Sequence, residues 1–199
     1  MEIFTRLTAA AMPMDAVNLD TDQLIPARFL RKPLDDNYHR YLFCDLRFNQ
    51  DGSEKPNFVY NQTPYREARI IVANRNFGCG SSREAAVFAL VACDFRAVIA
   101  PSFGDIFFNS CFKNGVLPIR LDDETVAKLR RQLNEKPGGV MTVDLETQEV
   151  SGPDGARYPF DVDPLRRKCL LEGLDDIQLT LLHDAEISAF EERYRVDTS

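Results

Sequence analysis

The sequence predicts an α/β fold with a partly parallel sheet and an appended antiparallel layer. Two observations carry this. Between residues 69 and 119, short apolar runs alternate with helix-length segments, the pattern of parallel strands joined by right-handed crossovers. After residue 140 the pattern changes to two or three short strands around Gly152-Pro153-Asp154-Gly155, a sequence suited to a hairpin turn.

The elements follow in order. Residues 1–30 open with a short strand-like stretch, then Asn18-Leu19-Asp20-Thr21-Asp22-Gln23-Leu24-Ile25-Pro26, where Pro26 stops any regular element. From about 31 to 67 the chain makes a long excursion rich in charge, aromatics and turn residues, with 37–43 its only plausible helix; such excursions are functional or mobile. The core comes next: strand 69–73, helix 84–92, strand 97–100, helix 104–112 and strand 116–119. Residues 122–133 form an amphipathic helix that starts at Asp122 or Asp123 and ends before Pro137-Gly138-Gly139. Strands at 140–145, 148–151 and 157–160 precede a tail that is helical from about 164 and interrupted at Gly173. The whole of 1–199 is expected to be a single domain.

Composition narrows the classes. With 31 acidic and 24 basic residues the net charge is −7, and no dense Lys/Arg block offers a nucleic-acid surface. No apolar run is long enough to span a bilayer, and the first residues lack a signal-type pattern, so a cytoplasmic protein is expected. The five cysteines, Cys44, Cys79, Cys93, Cys111 and Cys169, are widely and irregularly spaced and accompany only His39 and His183, a poor inventory for a metal site.

The most informative stretch is Asn76-Phe77-Gly78-Cys79-Gly80-Ser81-Ser82-Arg83-Glu84. It lies between a strand and a helix, so Gly78 and Gly80 allow the backbone to curl where N–H groups and the positive end of the helix dipole favour an anion. Arg83 adds a fork for a carboxylate or phosphate. Ser81 and Glu84 have the spacing of a capping box, and Ser81 is either that cap or a hydroxyl stabilised as a proton acceptor by converging N–H groups. A serine hydrolase is disfavoured because no Gly-x-Ser-x-Gly elbow surrounds Ser81, and a dinucleotide fingerprint fails at Arg83, where a third small residue belongs. Asp20-Thr21-Asp22 either coordinates a cation or forms Asx turns, the latter being the better reading. Asn114-Gly115 reads as a helix end.

Three separated stretches, 18–30, 76–84 and 100–118, together with Leu171-Glu172-Gly173-Leu174-Asp175-Asp176-Ile177, resemble the small-subunit family of 3-isopropylmalate dehydratase. That family is the free-standing counterpart of the swivelling C-terminal domain of aconitase. The resemblance implies a three-layer β/β/α domain paired with a large subunit that carries a [4Fe–4S] cluster, with no cofactor bound by this chain itself. It implies a hydro-lyase of leucine biosynthesis interconverting 2-isopropylmalate and 3-isopropylmalate through isopropylmaleate. By the family pattern Ser81 is the base, Ser82 and Arg83 hold a substrate carboxylate, Asp22 matches a site aspartate flanked by Thr21, and Arg28 is a second carboxylate clamp. Residues 31–41 would meet the substrate's γ-substituent, and Cys79 packs under the turn. Three rivals stand beside this reading: the small subunit of homoaconitase or another hydro-lyase, a phosphate- or nucleotide-binding module using the same helix terminus, and a non-catalytic assembly protein.

Overall fold

A long first strand organises the molecule, which the computed structural model describes over residues 1–81 and 83–196. Strand β1 (Arg6–Met14) is nine residues long and belongs to both halves of a seven-stranded sheet ordered β4-β3-β2-β1-β5-β6-β7. Its first half, Arg6 to Ala10, pairs antiparallel with β5 (Val140–Asp144); its second half, Ala11 to Met14, pairs parallel with β2 (Ile70–Ala73). The short opening strand expected from sequence is therefore the joint between the two halves. Strands β3 (Ala97–Ala100) and β4 (Leu117–Arg120) extend the parallel half, and β6 (Glu149–Ser151) and β7 (Arg157–Pro159) extend the antiparallel half. The hairpin turn sits where predicted, closed by the Gly152 N–H donating to Ala156 O at 2.8 Å.

Side-chain alternation along the parallel strands divides the interior in two. Ile71, Ala73, Val98 and Ala100 face one core; Ile70, Val72, Ala97 and Ile99 face the other, and all are buried. This is why these strands read as continuous apolar runs: neither face meets water. On the first face lie helix α3 (Glu84–Ala92) and the excursion, which follows the four-residue helix α1 (Thr21–Leu24). On the second lies helix α5 (Asp123–Glu135), whose Val126, Leu129 and Leu133 share a core with Met141, Val143 and Val150 of the curling antiparallel strands. Asp122 caps α5, accepting from the Thr125 N–H at 2.8 Å. The β/β/α layering implied by the resemblance is thus present.

The excursion is packed structure. It carries 3-10 turns at Tyr38–Tyr41, Val59–Asn61 and Thr63–Tyr65 and one short helix, α2 (Cys44–Arg47), and it buries Tyr38, Leu42, Phe43, Tyr60 and Tyr65 against the first core. Helix formation at 37–43 is cut short because Phe43 takes a left-handed conformation, φ 54°. Asn61 pins the excursion to itself, donating through Nδ2 to Arg47 O at 2.7 Å and Lys55 O at 2.9 Å.

Helix α4 (Asp105–Lys113) follows β3 and ends at Asn114 and Gly115, as the sequence predicts. The tail is helical from α6 (Pro164–Glu172), broken at Gly173 with φ 71°, then α7 (Asp176–Leu181) and α8 (Asp184–Val196). Gly173 also leaves room for the N-terminus: a Cβ there would approach Met1 O to 2.8 Å. Among the described residues no helix is long and apolar enough to cross a membrane.

Candidate functional site at the carboxyl ends of the parallel strands

Three chain segments leave the carboxyl ends of β1, β2 and β3 and lie side by side, the position where open parallel sheets form ligand sites. The middle one holds the glycine turn. On one flank the Asn76 N–H donates to Ser102 Oγ at 2.9 Å, the Phe77 N–H to Ser102 O at 3.1 Å, and the Gly104 N–H to Phe77 O at 3.0 Å. On the other flank the Gly78 N–H donates to Leu19 O at 2.7 Å and the Thr21 N–H to Cys79 O at 2.9 Å. Gly78 has φ 68°, and a Cβ on it would fall inside the ring of Phe107; a Cβ on Gly104 would lie 2.9 Å from Cys79 Cα. Both glycines are thus required by close approach, and Gly78 by its left-handed conformation as well.

These bonds correct one expectation. The Gly78 N–H does not face a ligand, because it is spent on Leu19 O; its part in the turn is steric. Gly80, at φ 89°, lies beyond that clamp, and a Cβ there would keep 3.5 Å from Asp20 Cβ.

A second correction concerns Ser81. It does not cap α3: the helix begins at Glu84, and its N-cap is Arg83, extended at φ −140° and ψ 101°, with no side-chain cap bond. The capping box fails because the helix starts too late for it: Arg83, not Ser81, is the cap, and Glu84 stands at the first helical position instead of the third. The Ser81 carbonyl accepts from Thr21 Oγ1 at 2.8 Å, and Glu84 Oε1 accepts from Asn114 Nδ2 at 2.9 Å. Ser81 itself is exposed. Ser82, predicted as substrate-binding, lies outside the described residues.

Arg83 turns its guanidinium onto Asp22, donating through Nη1 and Nη2 at 2.5 and 2.9 Å. The arginine side chain is 13% exposed and the aspartate 57%, so a mostly buried stem presents its fork at the surface. Asp22 also accepts from the Ala27 N–H at 3.0 Å. The Arg83 bond is the main reason that the Asp22 carboxyl titrates below the usual carboxylate range. Arg28 repeats the arrangement nearby, donating through both Nη atoms to the Asp45 carboxylate, with its guanidinium 4.5 Å over the Phe29 ring. Phe29 in turn stacks on Tyr41 at 4.4 Å. The Arg28 bond is likewise the main reason that the Asp45 carboxyl titrates below the usual carboxylate range. A cavity of about 490 Å³ opens beside Arg28, lined by Cys44, Asp45, Phe48 and Lys55.

Sequence reasoning missed Asp45, which sits on a short helix in an irregular region with no pattern to single it out. The buried link from Thr21 to Ser81 was equally invisible, because it joins residues 60 positions apart. Asp20 behaves as the turn reading expects: its Oδ1 accepts from the Gln23 N–H at 2.8 Å and starts α1. Among the described residues no three His, Cys, Asp or Glu side chains converge as a metal would require. The cysteines are free, with Cys111 fully buried; burial pushes the Cys93 thiol up to about 11 and raises Cys79 as well.

The curled sheet with a serine-bearing glycine turn at its carboxyl edge is that of the aconitase swivelling domain, and a family model described as aconitase C-terminal domain matches residues 1–124. A model described as LeuD_N matches 127–164, and one described as the C-terminal domain of the 3-isopropylmalate dehydratase small subunit matches 176–198. The 3-isopropylmalate dehydratase small subunit of Gluconobacter oxydans is 54% identical over 193 residues, covering 97% of this chain and 93% of its own. That of Paramagnetospirillum magneticum is 52% identical over 192 residues, covering 96% of both. The crystal structure of 3-isopropylmalate dehydratase from Methanocaldococcus jannaschii superposes with a TM-score of 0.67 at 26% identity, covering 92% of this chain and 98% of the other. The chain belongs to the 3-isopropylmalate dehydratase small-subunit family.

Proposed function

We propose that this chain is one half of a cytoplasmic hydro-lyase that, with a large subunit, interconverts 2-isopropylmalate and 3-isopropylmalate through isopropylmaleate in leucine biosynthesis. The observation that carries the reading is Ser81, exposed on a turn gripped from both sides and two residues from the Arg83 fork, in a chain of this family. An elimination of water needs a base for the carbon-bound proton, a hold on the substrate carboxylates and help for the departing hydroxyl. Ser81 supplies the base: its oxygen takes the proton as the C–H electron pair becomes the double bond, and returns it when water re-adds at the neighbouring carbon. Arg83 and Arg28 supply the hold. Each is paired with a carboxylate, Asp45 for Arg28 and Asp22 for Arg83, and an incoming substrate carboxylate would take the place of that partner on the fork. Ser82 completes the grip by the family pattern, and Gly80 keeps the turn open enough for close approach.

The Lewis acid for the hydroxyl is the [4Fe–4S] cluster that the resemblance assigns to the large subunit. The described residues of this chain do not form a ligand set for it.

The test is reconstitution with the large subunit under anaerobic conditions. The chain alone is expected to be inactive, the pair to form isopropylmaleate, and Ser81→Ala to cut kcat by about 10²–10⁴-fold with unchanged folding, as loss of a positioned base does. Full turnover by Ser81→Ala would remove the base assignment. A panel of hydroxy-di- and tricarboxylates given to the same pair separates isopropylmalate from the homoaconitase-type substrates.

A further inference from the structure

We propose that Thr21 is a positioning residue whose hydroxyl sets the Ser81 backbone for proton abstraction; this rests on Ser81 being the base. Thr21 is one of few buried polar side chains, 2% exposed, and stands at the first position of α1 immediately after the Asp20 cap. A hydroxyl this deep costs free energy unless it finds a partner, and the partner it has is the Ser81 carbonyl, at 2.8 Å. Its own N–H reaches Cys79 O at 2.9 Å. The two bonded carbonyls flank Gly80, the residue at φ 89° that has the greatest backbone freedom in the turn, and a Cβ on Gly80 would be 3.9 Å from Thr21 Oγ1.

One residue therefore holds the chain on both sides of its loosest joint. The Ser81 carbonyl is turned inward to Thr21 while the Ser81 residue as a whole is exposed, so its remaining freedom is that of the side chain. Asp20 fixes the other end: by accepting from the Gln23 N–H it anchors the start of α1 and hence Thr21 itself. The Thr21 hydroxyl is thus a donor that defines the plane of the Ser81 carbonyl. A displacement of about 1 Å in a reacting group costs on the order of 10²-fold in rate, even when substrate binding is intact. The family pattern gives Thr21 only as a flanking substrate contact; the geometry directs its hydroxyl at Ser81 instead.

The experiment uses the complex reconstituted with the large subunit. Thr21→Val keeps the shape and removes the donor; kcat is expected to fall by about 10–100-fold with KM changed less than about threefold. Thr21→Ser keeps the donor and is expected to recover most of the lost rate. Wild-type kcat in Thr21→Val overturns the proposal, and so does a rise in KM alone, which would make Thr21 a substrate contact. Should the valine variant fail to assemble, Thr21→Ala is compared with Thr21→Ser, and equal kcat in that pair overturns it. Ser81→Ala measured alongside separates the two levels: if it is inactive while Thr21→Val is fully active, only the Thr21 inference falls, whereas full turnover by Ser81→Ala removes the base and the positioning residue together.

Discussion

Arg83 and Asp22 illustrate how much a single pair can decide without contributing much stability. The pair is partly exposed, and ion pairs of this kind contribute little to folding. Its effect is on ionisation: the Arg83 hydrogen bond lowers the Asp22 pKa, against the opposing pull of desolvation. Because the folded pKa is depressed, the pair's contribution is complete above the ordinary carboxylate value of about 3.9 and is lost as pH falls through the lower, folded value. The Arg83 fork is therefore expected to stay engaged across neutral and mildly acid pH. Carbon-detected NMR titration of the Asp22 carboxyl should give a midpoint below that of a reference aspartate, and Arg83→Gln should return it to the ordinary value. A midpoint already ordinary in the unmutated chain would mean the pair is not formed in solution.

At the scale of the element, the glycine turn has no room for a side chain at Gly78. Gly78→Ala would drive a methyl into the Phe107 ring from a left-handed conformation, so both an overpacking and a backbone penalty apply. A loss of about 2–4 kcal/mol is expected in denaturant unfolding. Gly80→Ala carries the backbone penalty with only ordinary van der Waals contact to Asp20 and Thr21, and about 1 kcal/mol is expected; equal losses for the two would contradict the packing described. The turn also marks what was legible in the sequence. Two glycines between a buried strand and an apolar helix announce a curl and an anion-favouring corner; the curl is present, and in it the Gly78 N–H is bonded to Leu19 O rather than offered to an anion. The capping box rests on local spacing alone, and it fails because the helix begins at Glu84, with Arg83 as its cap, while the Glu84 carboxylate accepts from Asn114, remote in sequence. The strand–helix alternation from 69 to 119 and the hairpin after 140 were legible because each is written in consecutive residues. The excursion was not: its order comes from Arg47, Asn61 and buried aromatics that meet only when the chain has folded back.

For the molecule as a whole, stability resides in the two cores on either face of the parallel sheet, and the far tail adds little to either. No residue of α7 is buried, and Ile187, Phe190 and Tyr194 of α8 are exposed. Removing residues 184–199 is expected to leave Tm within about 2–4 °C of the full chain by differential scanning calorimetry, since a shift of that size corresponds to about 1 kcal/mol in a protein of this length. A much larger fall would mean that α8 docks on the body. Strand β1 has the opposite character. It is synthesised before either of its neighbours, residues 70–73 and 140–144, so its second half can pair once residue 73 has emerged, whereas its first half has no partner until residue 144 has. For the seconds in which residues 74–144 are translated, residues 6–10 remain an unpaired ribbon along that edge. Nascent-chain force profiling should accordingly register its main pull only after residue 144 clears the exit tunnel, and until then the newborn polypeptide depends on whatever shields such ribbons in the cell.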